Sequence, residues 1–493
     1  MGGSDNQSKR RRDAWYRSGL YADVEKLSEW MKYKGHGVIT GMPGTLKTTR
    51  ILFTPLFLKK PVVVSFPLRM IRDEFHRKIL EKSEYERIRD VTVVALAHDE
   101  VCPPLGERIR SSPETPYVKH LSDHLSASER GEEDCEWKKH IEKYIEHLSV
   151  NGPKLILTTH RVGFLLKILS WVLRKDAEFI FDEGEDLLLR IGEPVDLEYL
   201  NDLRVHRKVW RSVRSIYKKI HPSLRTGYVH TGIIKGLFRE CFFVSATFPP
   251  ILINHLSYGE EDGDYPVYRM KSSRVPDILV ILDKVLPWIT ESTWRKKIYP
   301  QVLSVIEKTH EKGYPVGIVS RNLEQACSLT ESLENLGYTV WSDHREDNPR
   351  PFYYADVVII TTMGRGYRGV NLYTRKTFNR WDFPVVIGFY QGKAIDRAHV
   401  HPFFYGLLSD NPFNKEEDEI GELIVQMLHA KNVQSLFRFV RDKQKEHLLI
   451  LLDQRWRDAL KMYTHHYYSK SKRMNVENPE DLFHRVLPLI ETL

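Results

Sequence analysis

The chain has 493 residues, 41% hydrophobic and 28% charged, with a formal charge of +8 and a pI near 9.0. That length allows two or three domains with cores of their own, and the composition excludes a disordered or collagen-like chain. No run of eighteen apolar residues spans a membrane, and "MGGSDNQSKRRRDAWY" is charged without the apolar stretch of a signal peptide, so an intracellular protein is expected.

Four scattered cysteines, at 102, 135, 241 and 327, make no disulfide framework and fit a reducing compartment. The basic excess favours a polyanionic partner, although many basic proteins bind none.

From residue 36 onward short apolar runs alternate with helical patterns: "GVIT", "PVVVSF", "VTVVALA", "KLILTT", "EFIFDE" and "CFFVSAT". A second series follows with "PVGIVS" at 315, "DVVIIT" at 356, "PVVIGF" at 384 and "HLLILLD" at 447. Buried parallel strands read as near-continuous apolar runs, so the alternation predicts two α/β domains, over 1–270 and 271–493, joined around 270–300. Two polar stretches, 99–150 and 186–237, read as surface insertions in the first domain.

"GVITGMPGTLKTTRILF" at 37–53 sets a glycine-rich turn between a strand and a helix. It follows the phosphate-loop pattern G-x-x-x-x-G-K-[ST] at Gly41, Lys47 and Thr48, with Leu46 in place of the second glycine and Gly44 available for the turn. Backbone N–H groups of the loop, with Gly44, Thr45 and Thr49 in it, would cradle phosphates; Lys47 would reach the β and γ phosphates and Thr48 would hold Mg²⁺. The strand "AEFIFDE" ends in Asp182 and Glu183, an acid for the metal and one to orient or deprotonate a water. Asp-Glu alone is common after strands; paired with the loop in one sheet it gains weight. "FFVSATFPP" then places Ser245, Ala246 and Thr247 after another strand.

This order, loop, Asp-Glu box and "SAT", resembles the superfamily 2 helicases, and the details resemble their XPD/DinG branch. "LILTTHRVGFLL" at 155–166 is similar to the segment that branch places before its "DEAH" box. "QSLFRFVRDKQKEHLLILLDQRW" at 434–456 matches its "QxxGRxIRxxxDxGxxxxxDxR" pattern at Gln434, Arg438, Arg441, Asp453 and Arg455.

The resemblance implies two RecA-like domains in tandem, ATP and Mg²⁺ as cofactors, and single-stranded or forked DNA as partner, with 5′ to 3′ movement. It makes Arg438 and Arg441 the arginines that reach the γ-phosphate across the interdomain cleft, with Gln434 beside them. It assigns Ser65, Ser245, Thr247, Ser320, Arg321, Thr362 and Arg365 to nucleic-acid backbone contact or to its coupling with ATP. The chain departs from the branch at Leu46 and Phe437 (both glycine there), at Glu185 (histidine there), in "RGVN" at 368–371, and in lacking an adenine-reading glutamine near "YRSGLYADV". These departures fall on coupling and base selection rather than on hydrolysis.

Many members of the branch hold a [4Fe–4S] cluster by four cysteines between the second strand and the Asp-Glu box; here that interval has only Cys102 and Cys135, so no cluster is expected. With His98, His120, His124 or His140 these two lack the spacing of structural zinc, and His399 and His401 read as a hydrogen-bonded pair. Lys9–Arg12 and "YYSKSKRMN" near 467 read as solvated runs. The stretch 204–219, with Trp210 and Tyr217 among its cations, stands evenly between a single-strand contact and an amphipathic helix. A DNA-stimulated ATPase that does not separate strands, and a nucleic-acid-binding protein with a vestigial ATPase, remain alternatives to a helicase.

Overall fold

A computed structural model describes residues 3–41, 46–111, 137–185, 240–257, 264–270, 278–282, 294–345, 355–361, 383–392, 417–440 and 447–492. Outside them lie Gly44, Thr45, Cys135, His120, His124, the insertion 186–237, Thr362, Arg365, His399, His401 and Arg441. The chain forms two compact units, one built mainly from Met1–Thr40 and Leu46–Met270, the other from Lys271–Ile395 and Gly421–Leu493. Among the described residues no helix is long and apolar enough to cross a membrane.

The first unit holds β1 (Gly37–Thr40), β2 (Pro61–Phe66), β3 (Thr92–Val94), β4 (Lys154–Thr159), β5 (Glu178–Asp182), β6 (Phe242–Ser245) and β7 (Val267–Arg269). They pair in the order β3-β4-β2-β5-β6-β1-β7, every pair parallel. The second unit holds β8 (Ile278–Leu282), β9 (Val316–Ser320), β10 (Val340–Ser342), β11 (Val357–Thr361), β12 (Val385–Gly388), β13 (Leu448–Leu451) and β14 (Lys472–Val476). Its order, β10-β11-β9-β12-β13-β8-β14, is the same permutation shifted by seven, and again every pair is parallel.

The strands form where the apolar runs predict them because helices cover both faces and leave no position for a polar alternation. Val62, Val63 and Val64 of β2 and Phe179, Ile180 and Phe181 of β5 are fully buried. Burying each such side chain contributes roughly 1.5–3 kcal/mol.

One expectation changes, and two runs read as solvated take a place in regular elements. The stretch read as a join contains β8, whose run Ile278–Leu282 lies inside the second sheet between β13 and β14. The basic run near 467 ends in β14, an edge strand whose lysine and arginine are exposed, a common protection against further strand pairing. Lys9–Arg12, the other such run, lies within the helix Gly3–Lys34.

Candidate functional site

In open parallel sheets ligands bind beyond the carboxyl ends of the strands, and the predicted residues of the first unit gather there. β1 pairs with β6 so that Thr40 faces Ser245, and β5 pairs with β6 so that Asp182 faces Val244. The chain after β1 therefore runs beside the ends of β5 and β6.

The helix Lys47–Leu52 opens on the predicted lysine. Thr48 directs its hydroxyl at the Asp182 carboxylate, 3.2 and 3.4 Å from its two oxygens, across 134 residues of sequence. These distances are long for a hydroxyl–carboxylate bond, so the two hard oxygen donors converge without being committed to each other. Such a pair suits Mg²⁺, which takes one or two protein oxygens and completes its shell with water and phosphate.

Gly44, expected to supply the turn, lies outside the described residues; Leu46 stands in place of the missing glycine. It adopts the left-handed conformation itself, φ 59° and ψ 32°, with no side-chain cap and 40% exposed. An L-residue pays about 1–2 kcal/mol there. Glu183 is left-handed as well, at φ 51°. The other described non-glycine residues with positive φ, Lys59 and Arg174, sit at or just past the C-terminal ends of helices, where that conformation is ordinary. Strain of this kind persists where the surroundings over-determine it, and here two of four cases fall on one site.

Behind Glu183 lies a buried polar link. The Ser245 hydroxyl donates to Glu185 at 2.7 Å and lies 3.4 Å from a Glu183 carboxylate oxygen; it accepts from the Thr247 N–H at 3.0 Å, and the Thr247 hydroxyl reaches Glu185 at 3.5 Å. Glu185, standing where a histidine was expected, therefore joins the Asp-Glu box to the "SAT" segment as an acceptor of hydroxyl protons. Gly184 has its own cause: a Cβ there would lie 2.6 Å from the Phe243 ring, which is packed between Phe181 and Phe248.

Ser65, at the end of β2, is buried and shares a 2.9 Å hydrogen bond with His160 Nδ1, and Gly163 leaves room for it. His160 lies in the quoted segment before the box, but nothing in the spacing singled it out. Lys47 and Thr49 are half-buried beside Thr48, and the Thr49 hydroxyl is 3.5 Å from the Tyr85 hydroxyl. Gly41 directly follows β1.

In the second unit Ser320 ends β9, buried, with its hydroxyl on the Ile360 carbonyl at 3.2 Å. Arg321 follows, half-buried, its N–H held by Gln325 at 2.7 Å. Burial first, then the neighbouring Arg455 cation, pull the Arg321 guanidinium below its usual range, with Asp453 opposing. Gln434 and Arg438 are half-buried at the end of the helix Glu417–Leu436 and in the turn after it. Phe437, in place of the expected glycine, is fully buried in this unit's core with Phe439 and Val433. Of the expected cysteines, Cys102 and Cys241 are buried, and burial pushes the Cys241 thiol up to about 12.

No protein-family model and no curated protein matches this sequence. Solved structures do. An XPD helicase structure superposes over 93% of this chain and 99% of its own, with a TM-score of 0.55 at 12% identity. The chain has the fold of an XPD helicase. A structure of apo XPD covers 92% of this chain and 99% of its own, with a TM-score of 0.49 at 13% identity. Xpd4 of S. tokodaii covers the same shares, with a TM-score of 0.47 at 11% identity. At such identities the likeness speaks for the fold, two RecA-like domains in tandem, and the twice-used strand order agrees with it.

Proposed function

We propose that the protein is an ATP-dependent nucleic-acid motor of the XPD/DinG type, a DNA helicase or translocase moving 5′ to 3′ on single-stranded DNA, with its motor domains over 1–270 and 271–493. The observation that carries this reading is the convergence of Thr48, Asp182, Glu183 and the Ser245–Glu185 link at the carboxyl edge of one parallel sheet. Each of these groups has a task in phosphoryl transfer to water, and the XPD fold supplies the setting.

Lys47 binds the phosphates of ATP, and Gly41, Gly44, Thr45 and Thr49 belong to the loop around them. Thr48 and Asp182 hold Mg²⁺, which when bound neutralises charge on the phosphate oxygens. Glu183 orients the attacking water and accepts its proton; its left-handed backbone fixes where that carboxylate stands. Arg438 and Arg441 supply positive charge to the transferring phosphoryl group, and Gln434 supports them. Ser245, Thr247 and Glu185 pass the state of that site to the rest of the sheet. Ser65 and Ser320 are buried, so their part is coupling, while Arg321, Thr362 and Arg365 take the backbone phosphates of the strand.

The test is steady-state ATP hydrolysis with and without single-stranded DNA or RNA, followed by unwinding of short 5′-tailed duplexes. Stimulation by single-stranded DNA with unwinding supports the helicase. Strong stimulation without unwinding makes the protein a translocase or remodeller, and equal turnover by wild type and Glu183→Gln rejects the ATPase assignment.

A further inference from the structure

Ser65 follows three valines in β2 and is fully buried, so the part given to it above is coupling, and coupling needs a partner. Its one side-chain partner among the described residues is His160 Nδ1, at 2.9 Å. A buried hydroxyl–imidazole pair adds little to stability, because apolar groups of the same shape would serve there nearly as well. Yet room is kept for it. The helix His160–Val172 follows β4 directly and passes over β2 at Gly163, where a Cβ would lie 2.6 Å from the Ser65 hydroxyl oxygen.

The pair stands at one end of a row across the sheet. Register sets Ser65 of β2 beside Phe181 of β5, and Phe181 beside Phe243 of β6, so these three side chains share one face. The His160 ring lies 5.9 Å from the Phe181 ring at 57°, and the Phe181 ring lies 6.1 Å from that of Phe243. At the far end Phe243 fills the space beside Gly184, the residue between Glu183 and Glu185. Interiors packed this closely transmit a displacement instead of absorbing it. The row therefore runs from the end of β2 to the backbone that carries the left-handed Glu183.

We infer that His160 is a positioning residue through which a nucleic-acid strand bound beyond the end of β2 sets the placement of Glu183. The inference rests on the nucleic-acid reading above and names the side chain that carries its signal. Bonded to Ser65, the imidazole is held between β2 and β5; a shift of the chain leaving β2 breaks that bond and releases the ring against Phe181. Coupling requires discrete arrangements of this kind, and a single buried hydrogen bond, made or broken, supplies two.

The full-length protein is assayed for steady-state ATP hydrolysis with and without saturating oligo-dT, as wild type, Ser65→Ala, His160→Leu, the double variant and His160→Asn. Thermal melting reports the folding of each. The readout is stimulation, turnover with oligo-dT divided by turnover without, because a merely structural loss scales both turnovers alike. Stimulation is expected to fall by about 5-fold or more in each single variant, the low end of usual coupling between sites. It should fall no further in the double variant, since either change breaks the same link. His160→Asn keeps an acceptor near the Nδ1 position but removes the ring, so it should fold without recovering stimulation. If His160→Leu does not fold, Ser65→Ala and His160→Asn give the same reading. Wild-type stimulation in the folded variants overturns the inference, as do losses that add in the double variant. Stimulation recovered by His160→Asn overturns the route through the Phe181 ring. A wild type that hydrolyses ATP with no response to single strands removes the nucleic-acid reading and this route together.

Discussion

The two sheets share one strand order but present opposite chemistry at equivalent edges. β5 and β12 hold the same place in the order, as do β6 and β13. At the ends of β5 and β6 stand Asp182 and Glu183, and the hydroxyls of Ser245 and Thr247, which gather on Glu185. After β12 and β13 come Tyr390 and Arg455, with Asp453 between Arg455 and the sheet. The apolar strands of both units are interchangeable in character, so the difference lies in the few residues at and past each strand end. A parallel sheet aims whatever follows its strands to one side, so the same scaffold presents carboxylates and hydroxyls in one unit and a guanidinium beside a ring in the other.

The sharpest way to break this comparison is to neutralise the acid edge at its centre. Glu183→Gln is expected to lower kcat for ATP by about 10²–10⁴-fold, the usual contribution of a positioned general base, with ATP binding retained. Quenched-flow hydrolysis alongside equilibrium binding of labelled nucleotide separates the two. A fall in binding that matches the fall in rate would mean that Glu183 holds the nucleotide rather than the water.

A second experiment asks whether the cations of the second unit are needed for the same step. Arg438→Gln should cost on the order of 10³-fold in kcat while KM for ATP changes little, as for an arginine that acts on transition-state charge. Full activity would leave Arg438 outside hydrolysis.

Between the edges and the strands lies packing, and there the effect is on stability. Gly184→Ala drives a methyl into Phe243, and overpacking of this kind typically costs about 1–3 kcal/mol. The melting temperature should fall, and Phe243→Leu should recover part of it by opening room. If Gly184→Ala melts with wild type, the ring yields and the glycine has some other cause.

Much of this was legible in the chain. Ten strands stand where the apolar runs predict them, and Thr48 and Asp182, which the chemistry of a metal site pairs, lie within 3.4 Å of each other. What escaped has physical reasons. Ile278–Leu282 is as apolar as the other strands but lies apart from the chemical motifs, so it read as a join. β14 is an edge strand, and an edge is free to be polar. The bond between Ser65 and His160 depends on the register of β2 against β4, which no local pattern encodes. The role of Glu185 turned on what Ser245 donates to, a contact across 60 residues. The left-handed backbone of Leu46 is foreshadowed by no local preference of leucine, which rarely adopts it.

That last residue gives the smallest expected effect and the finest test of how the acid edge is assembled. Leu46 holds a left-handed backbone at a cost of about 1–2 kcal/mol, and glycine would relieve it while giving back roughly 0.5–1 kcal/mol in unfolded-chain entropy. Leu46→Gly should therefore stabilise the protein by up to about 1.5 kcal/mol, seen as a rise of a few degrees at most in melting temperature. Affinity for ADP decides what the strain does. If the strain is present with and without nucleotide, affinity stays constant and only melting changes. Tighter binding with no change in melting would mean that the loop relaxes when empty and that nucleotide binding restores the left-handed turn. Lower stability in the glycine variant would contradict the strain itself and would show that the exposed leucine side chain holds the loop through its contacts.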